Sequence, residues 1–176
     1  MMTHSFDKQL ERSLADDAQR QFEQYYIRQW PIIERIERVA DLERQRQGID
    51  CILHFPGGLE VTVDEKIRDY RVDDFLCEEW SVFRNGVGEK VGWTLDQAKR
   101  CDFVAYALPA AGRIYMRPFA LLRLTCRLHL EFWKRLPICG YPLDAPNEGY
   151  CTRNLSVPWC ELDRAMDKLM GPHFFG

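Results

Sequence analysis

The sequence lacks the features that mark membrane-spanning and exported proteins. No apolar run approaches the roughly 20 residues that a transmembrane helix requires, and no basic segment followed by an apolar one opens the chain. We therefore expect no targeting segment and no membrane association. The GxSxG, P-loop and GxGxxG motifs are also absent, so the sequence does not indicate a serine hydrolase, a P-loop nucleotidase or a dinucleotide-binding enzyme.

Paired cysteine motifs are missing too. The seven cysteines are an odd number and include no CxxC pair, and some lie in apolar runs such as residues 50–53. A free thiol in such a run packs as a small hydrophobic group, so a reducing, cytoplasmic location is expected. Cys139, Cys151, Cys160 and His173 have the ligand types of a zinc site, but their spacing matches no compact zinc motif.

Strong charge of either sign is absent as well. The net charge is -3, with 46% hydrophobic and 29% charged residues, which is typical of a folded globular protein. This balance excludes a uniformly basic coat for nucleic acid. It allows a nuclease, because phosphate contact needs only a local basic face and acidic metal ligands lower the total charge.

Hydrophobic periodicity predicts an α/β fold with a central mixed sheet flanked by helices. We expect one domain over residues 1–176, with a helical N-terminus (1–47), a core (48–136) and a tail (137–176). An apolar stripe on the helix after the sheet comprises Leu122, Leu124, Leu128 and Phe132. The predicted helices cover 6–30, 32–47, 94–100, 119–136 and 160–170; the strands cover 49–55, 59–67, 75–83, 103–108 and 113–116; and 56–58 and 137–158 are a turn and a loop.

Three ionisable residues around the turn at 56–58 carry the most chemical information. Residues two apart on a strand point to the same face, so Asp64 and Lys66 share a face while Val61 and Val63 point into the core. A hairpin about the turn would bring Asp50 beside Asp64. The sequence therefore predicts two carboxylates and an ammonium group on one patch of the sheet.

This patch suits the hydrolysis of phosphodiesters. Carboxylate oxygens are preferred ligands of Mg²⁺ or Mn²⁺, and the backbone carbonyl of Glu65 could complete the metal shell beside Asp50 and Asp64. Lys66 could orient the attacking water or stabilise developing charge. The alternative is structural, because an acid and a lysine two residues apart often form an exposed ion pair.

The motif resembles that of the PD-(D/E)XK, or restriction-endonuclease-like, nuclease superfamily. Asp50 resembles its first acid, Asp64 the D/E position and Lys66 the lysine, while Gly48 and Ile49 stand where the proline would precede the first acid. The resemblance covers residues 30–125, and this part of the chain is similar to small nuclease-like proteins of phages and bacteria. It extends to residues 45–50, 75–81, 92–93 and 101–106.

The resemblance implies a helix–strand–strand–strand–helix–strand core and Mg²⁺- or Mn²⁺-dependent cleavage of nucleic acid, either DNA or RNA. It also implies an acid from the preceding helix. A further catalytic ligand, for which Glu78 is our choice, could come from the strand over 75–83. An ion pair to Arg68 or Arg71 is the structural alternative. The candidates for the helix acid are Glu34, Glu37 and Asp41, and the strand offers Glu78 or Glu79.

Basic and aromatic residues follow the predicted core. They could contact a phosphate backbone or stack on bases, but the favoured interpretation is a solvated helix face for the basic residues and core packing for the aromatic ones. The basic residues are Arg113, Arg117, Arg123 and Arg127, and the aromatic ones are Trp93, Tyr106 and Tyr115. Two rival functions stay open: a catalytically inactive nuclease-fold binding or inhibitor protein, and an interaction domain in which the charged residues only form ion pairs.

Overall fold

The computed structural model describes residues 16–68 and 73–171. In chain order the helices are α1 (Asp16–Gln29), α2 (Leu42–Arg46), α3 (Phe119–Trp133) and α4 (Trp159–Met170). The strands are β1 (Arg35–Arg38), β2 (Cys51–Phe55), β3 (Leu59–Ile67), β4 (Asp74–Arg84), β5 (Val87–Val91), β6 (Phe103–Leu108), β7 (Arg113–Pro118), β8 (Gly140–Asn147) and β9 (Tyr150–Pro158). The fold is therefore α/β with a mixed sheet and flanking helices, as predicted.

The described residues divide into two compact units. The first unit contains residues 16–68 and 97–120, and the second contains 73–96 and 121–171. The expected single domain of 1–176 spans both units. No helix among the described residues is long and apolar enough to cross a membrane.

The first unit is built on a five-stranded mixed sheet. Its strand order is β1-β2-β3-β6-β7, in which only the central β3–β6 pair is parallel. Phe22 and Tyr26, four residues apart on α1, are buried against one face of this sheet. Their partners there include Cys51, Leu53, Phe55, Val63, Ala105 and Ala107.

The second unit is built on a four-stranded antiparallel sheet of order β5-β4-β9-β8. Phe75 of β4 packs against Trp159 at the start of α4, with 5.6 Å between the ring centroids. Leu155 and Val157 of β9 and Leu162 of α4 are fully buried with them. The predicted strand over 75–83 is confirmed in type, but it belongs to this sheet rather than to the sheet that contains β2 and β3.

The hairpin at the start of the predicted core is confirmed. β2 and β3 pair antiparallel from Phe55 opposite Leu59 to Cys51 opposite Val63, around a short 3₁₀ turn at Pro56–Gly58. Gly57 and Gly58 both adopt a positive φ, near 79° and 78°, which L-residues with a Cβ rarely adopt. The two glycines therefore allow the turn that sets the hairpin register, in which residue 50 lies opposite residue 64.

Three predicted segments have a different secondary structure. The helix over 32–47 is wrong at its start, because Arg35–Arg38 pairs with β2 as an edge strand and only Leu42–Arg46 is helical. The helix over 94–100 is absent, and that segment forms turns. The tail over 137–158 is not a loop, because it contains the paired strands β8 and β9. In the first and third segments, hydrogen bonds to a partner strand outweigh the local pattern.

The apolar stripe predicted for α3 is only partly its buried face. Leu122 is buried, whereas Leu124, Leu128 and Phe132 are all exposed. The buried side chains instead follow a second helical stripe, which consists of Phe119, Leu122, Cys126 and Trp133. This helix is apolar on two faces, so periodicity did not identify the one that packs inward.

Candidate functional site

Asp50 lies directly beside Asp64, one residue before β2 begins. Its backbone N–H donates to the carbonyl of Val63 at 2.9 Å, which continues the β2–β3 ladder by one residue. Its carboxylate Oδ2 accepts the backbone N–H of Glu65 at 2.8 Å. The hairpin therefore places the two acids together, as the strand pattern predicts.

Asp64 and Lys66 share the sheet face opposite the α1 helix. Asp64 is 1% exposed and its Oδ1 forms an ion pair with the Lys66 ammonium group. That ammonium group also lies 3.5 Å from the backbone carbonyl of Glu65. The alternate side chains of β3 point to the opposite face, where Val63 is fully buried in the core beneath α1.

The two carboxyl groups titrate differently because their surroundings differ. Burial raises the pKa of Asp50 to about 7 despite the opposing charge of Lys66, and the Asp64 carboxylate adds to the rise. Burial also acts to raise the pKa of Asp64, but the charges of Lys66 and Lys99 outweigh it and hold that pKa below its usual value. Asp64 is therefore ionised at neutral pH while Asp50 is near its titration midpoint.

One oxygen of this pair is left without a donor. Asp64 Oδ2 is buried and receives no hydrogen bond from an N–H or O–H group of residues 16–68 and 73–171. A proton on Asp50 would provide a hydrogen bond between the two carboxyl groups, and a hard cation would satisfy both carboxylates at once. The donor set of two acids and a nearby carbonyl fits Mg²⁺ or Mn²⁺.

Gly48 provides the space in front of this oxygen. It adopts φ +78°, and a Cβ there would lie 3.1 Å from Asp64 Oδ2 and 3.0 Å from Cδ of Lys99. The absence of a side chain at position 48 thus leaves the space beside this oxygen open. Sequence reasoning missed Lys99, because a loop far along the chain brings it here and no local motif marks it.

The side chain of Glu65 does not contribute to the acid pair. It points to the α1 face, where Tyr26 Oη donates to it at 2.8 Å and Arg38 pairs with it at 2.6 Å. Arg38 in turn pairs with Glu23 of α1 at 3.1 Å. Only the backbone carbonyl of Glu65 is available to a metal at Asp50 and Asp64, which was the role expected for this residue.

None of the acids predicted from the preceding helix lies on a helix interior. Glu37 is on β1 and pairs with Arg35 at 2.7 Å and with His54 at 3.2 Å. Asp41 accepts the N–H groups of residues 43 and 44 as the N-cap of α2. Glu34 is exposed just before β1. These positions correct the expectation, since the segment that was read as a helix is mostly strand and loop.

Glu78 and Glu79 lie on β4 of the second unit. The Glu78 carboxylate accepts hydrogen bonds from Ser81 Oγ and from the Trp93 backbone N–H. Glu79 pairs with Lys134 at 2.7 Å and accepts the Tyr141 hydroxyl at 2.9 Å. Neither glutamate is on the sheet of Asp50, and both already have polar partners within their own unit.

The aromatic residues considered for base stacking are mostly packed inside. Tyr106 is buried, and Trp93 packs edge-on against Phe75 with 6.0 Å between ring centroids. Tyr115 is partly exposed on β7 and lies under the Arg117 guanidinium at 5.6 Å. Core packing therefore explains two of the three aromatics.

No larger metal cluster occurs in the part of the chain that the structure describes. Groups of three or more His, Cys, Asp or Glu side chains able to hold an ion are absent there. Cys139 is buried, Cys160 is exposed, and the Cys151 thiol lies 3.5 Å from the carbonyl of Phe83. His173, the fourth zinc candidate, lies outside the described residues.

Comparisons of the chain with protein-family models, curated proteins and solved structures found no match. The functional assignment therefore depends on the geometry of the site itself.

Proposed function

We propose that this protein is a metal-dependent nuclease that hydrolyses phosphodiester bonds of nucleic acid, with DNA as the first candidate. The observation that carries the proposal is the contact between the Asp50 and Asp64 carboxyl groups, with a buried Asp64 oxygen that has no hydrogen-bond donor among the described residues. Two buried, adjacent carboxylates repel each other unless a proton or a cation lies between them. A binding site for a hard divalent cation accounts for that arrangement.

The residues of the site have separate roles. Asp50, Asp64 and the carbonyl of Glu65 would hold Mg²⁺ or Mn²⁺, which when bound polarises a phosphoryl oxygen and acidifies water. The Lys66 ammonium group, fixed by Asp64, is positioned to orient a water molecule or to stabilise negative charge on the phosphate. Burial on the sheet face keeps these charges in a low dielectric, where each acts more strongly.

The sheet topology supports a restriction-endonuclease-like core. The helix–strand–strand–strand order of that core compares with α1, β1, β2 and β3, with the short helix α2 inserted between β1 and β2, and β6 pairs parallel with β3. The helix expected before the fourth strand has no counterpart in residues 73–102. Under this proposal the three core strands are β1 to β3, rather than the three predicted over 49–55, 59–67 and 75–83.

Cleavage assays test the proposal. The protein is incubated with plasmid, linear DNA, single-stranded DNA and RNA in the presence of Mg²⁺, Mn²⁺ or EDTA. We expect cleavage only with metal, and a loss of about 100-fold or more in Lys66→Ala and in Asp64→Asn. Lys90→Ala is the matched control, because Lys90 is an exposed lysine on β5. Equal activity in Lys66→Ala and wild type would contradict the assigned roles.

An inactive nuclease-fold binding protein is the second candidate. The ion pair between Lys66 and Asp64 favours it, because that contact already neutralises one acid without a metal. Such a protein would bind nucleic acid or another partner without cleaving it. This candidate would be supported over the enzyme if Mg²⁺ raised the melting temperature of wild type but no nucleic acid tested were cleaved.

A further inference from the structure

A second lysine is held beside the acid pair by the loop that leads into β6. The Arg100 N–H donates to the carbonyl of Gln47 at 2.7 Å, which ties the loop to the residue before Gly48. Two residues later, Asp102 Oδ2 accepts the N–H and the hydroxyl of Thr62, at 2.8 and 2.7 Å. These contacts fix the backbone immediately after Lys99.

The Lys99 side chain runs past Gly48 towards Asp64. Its Cδ would be 3.0 Å from a Cβ at Gly48, so the glycine provides the space that the lysine stem occupies. The positive charges of Lys66 and Lys99 both act to lower the pKa of Asp64. The ammonium group of Lys99 is therefore close to the proposed metal ligands.

The two lysines of the site differ in their contacts. Lys66 is ion-paired with Asp64 and lies 3.5 Å from the Glu65 carbonyl. Lys99 makes no hydrogen bond or ion pair with any residue in the described ranges, and its side chain is partly exposed. A partly exposed ammonium group without an acceptor, next to an acid pair, is suited to a ligand that brings its own negative charge.

We propose that Lys99 binds a backbone phosphate of the nucleic acid at the site of Asp50, Asp64 and Lys66. This inference rests on the proposed function and names the group that holds the substrate there. An ammonium group contacts phosphate as a point charge and does not read bases. Lys99 thus contributes affinity that is independent of sequence and sensitive to salt.

A purely structural role makes different predictions. If Lys99 only offsets the buried charge of Asp64, its loss lowers stability and changes neither the affinity for nucleic acid nor the salt dependence of binding. If Lys99 holds phosphate, its loss weakens binding while the melting temperature changes little. Arginine at this position retains the charge and rescues binding in the second case.

The test measures binding and cleavage separately. Binding of a short fluorescein-labelled DNA duplex is followed by fluorescence anisotropy over a salt series, in Ca²⁺ and in EDTA, for wild type, Lys99→Gln, Lys99→Arg and Lys90→Gln. Lys99→Gln should weaken binding by about tenfold at low salt and lower the slope of log K against log salt by about 0.9. Lys99→Arg should retain most of the affinity, and Lys90→Gln should match wild type.

Cleavage kinetics in Mg²⁺ complete the test. In Lys99→Gln we expect a higher KM with a smaller change in kcat. Wild-type affinity and salt slope in Lys99→Gln would overturn the role of Lys99, whereas cleavage by wild type would leave the nuclease proposal standing. Binding that depends on Lys99 without cleavage by wild type would support Lys99 and overturn the nuclease. Failure of wild type both to bind and to cleave would overturn both.

Discussion

At the scale of single residues, the site is defined by one unfavourable contact. Asp50 and Asp64 adjoin in a buried position, where Lys66 forms an ion pair with Asp64 and its charge only partly offsets the burial of Asp50. Burial and the charge of Asp64 shift the Asp50 pKa to about 7. The folded protein without metal therefore carries a strained pair of acids, and either protonation or a cation relieves the repulsion.

This pair predicts how stability depends on pH in EDTA. The pKa of Asp50 rises from 3.8 when unfolded to about 7 when folded, so the folded state binds the proton more tightly. Stability from this group is fully present below about pH 4 and is lost as pH rises to about 7, by at most about 1.4 kcal/mol per pH unit. Asn at position 50 resembles the protonated acid, so Asp50→Asn should be more stable than wild type at pH 8.

Urea unfolding of wild type and Asp50→Asn from pH 5 to pH 8 measures this difference. The stability advantage of Asp50→Asn over wild type should shrink towards pH 5. Added Mg²⁺ should stabilise wild type more than the variant. A variant less stable than wild type at pH 8 would instead identify Asp50 as an ion-pair partner in a structural network.

Gly48 gives a second test of the geometry at the site. Gly48→Ala adds a Cβ 3.1 Å from Asp64 Oδ2 at a positive φ. The matched control is Gly58→Ala, because Gly58 has the same φ of +78° and nothing within 4 Å of an added Cβ. Both variants share the backbone strain. In urea unfolding, Gly48→Ala should therefore lose about 1–2 kcal/mol more stability than Gly58→Ala. Equal losses would mean that the space in front of Asp64 is not restricted.

At the scale of elements, β3 carries charge on both of its faces for different purposes. One face presents Asp64 and Lys66, and the other buries Glu65 against α1, where Arg38 of β1 neutralises it. A buried ion is tolerated only when it is paired and hydrogen-bonded. The Arg38–Glu65 pair thus links β1, β3 and α1, which places it among the structural contacts of the fold.

Removal of one member of this pair should be costly. Arg38→Ala leaves Glu65, which is 7% exposed, without its cationic partner, and should destabilise the protein by about 3 kcal/mol. Arg35→Ala is the control, because the Arg35–Glu37 pair is exposed and should contribute less than about 1 kcal/mol. Urea unfolding measures both.

The double variant Arg38→Leu with Glu65→Leu should recover much of the loss, since no unpaired charge stays buried. Because the pair lies on the α1 face, the double variant should keep the stabilisation by Mg²⁺. Similar losses of stability in Arg38→Ala and Arg35→Ala would show that the Glu65 carboxylate reaches solvent.

At the scale of the whole molecule, the chain leaves the first unit after β3 and returns to it at β6. Between them it forms β4 and β5 of the second unit, which is completed by residues that follow the first sheet. The alternation in residues 75–83 predicted a strand correctly and assigned it to the wrong sheet. A period of two shows that a strand has one buried face, but it does not identify the partner strand.

The sequence by itself determined the hairpin of β2 and β3 and the side chains that converge on it. Strand alternation placed Asp64 and Lys66 on one face, and the turn at 56–58 set Asp50 beside them, because these relations depend only on neighbours along the chain. Tertiary structure alone decided that residues 35–38 form an edge strand, that β4 belongs to another sheet, and that Lys99 lies beside Asp64. Each of these depends on hydrogen bonds or charges between segments far apart in sequence, which no local pattern encodes.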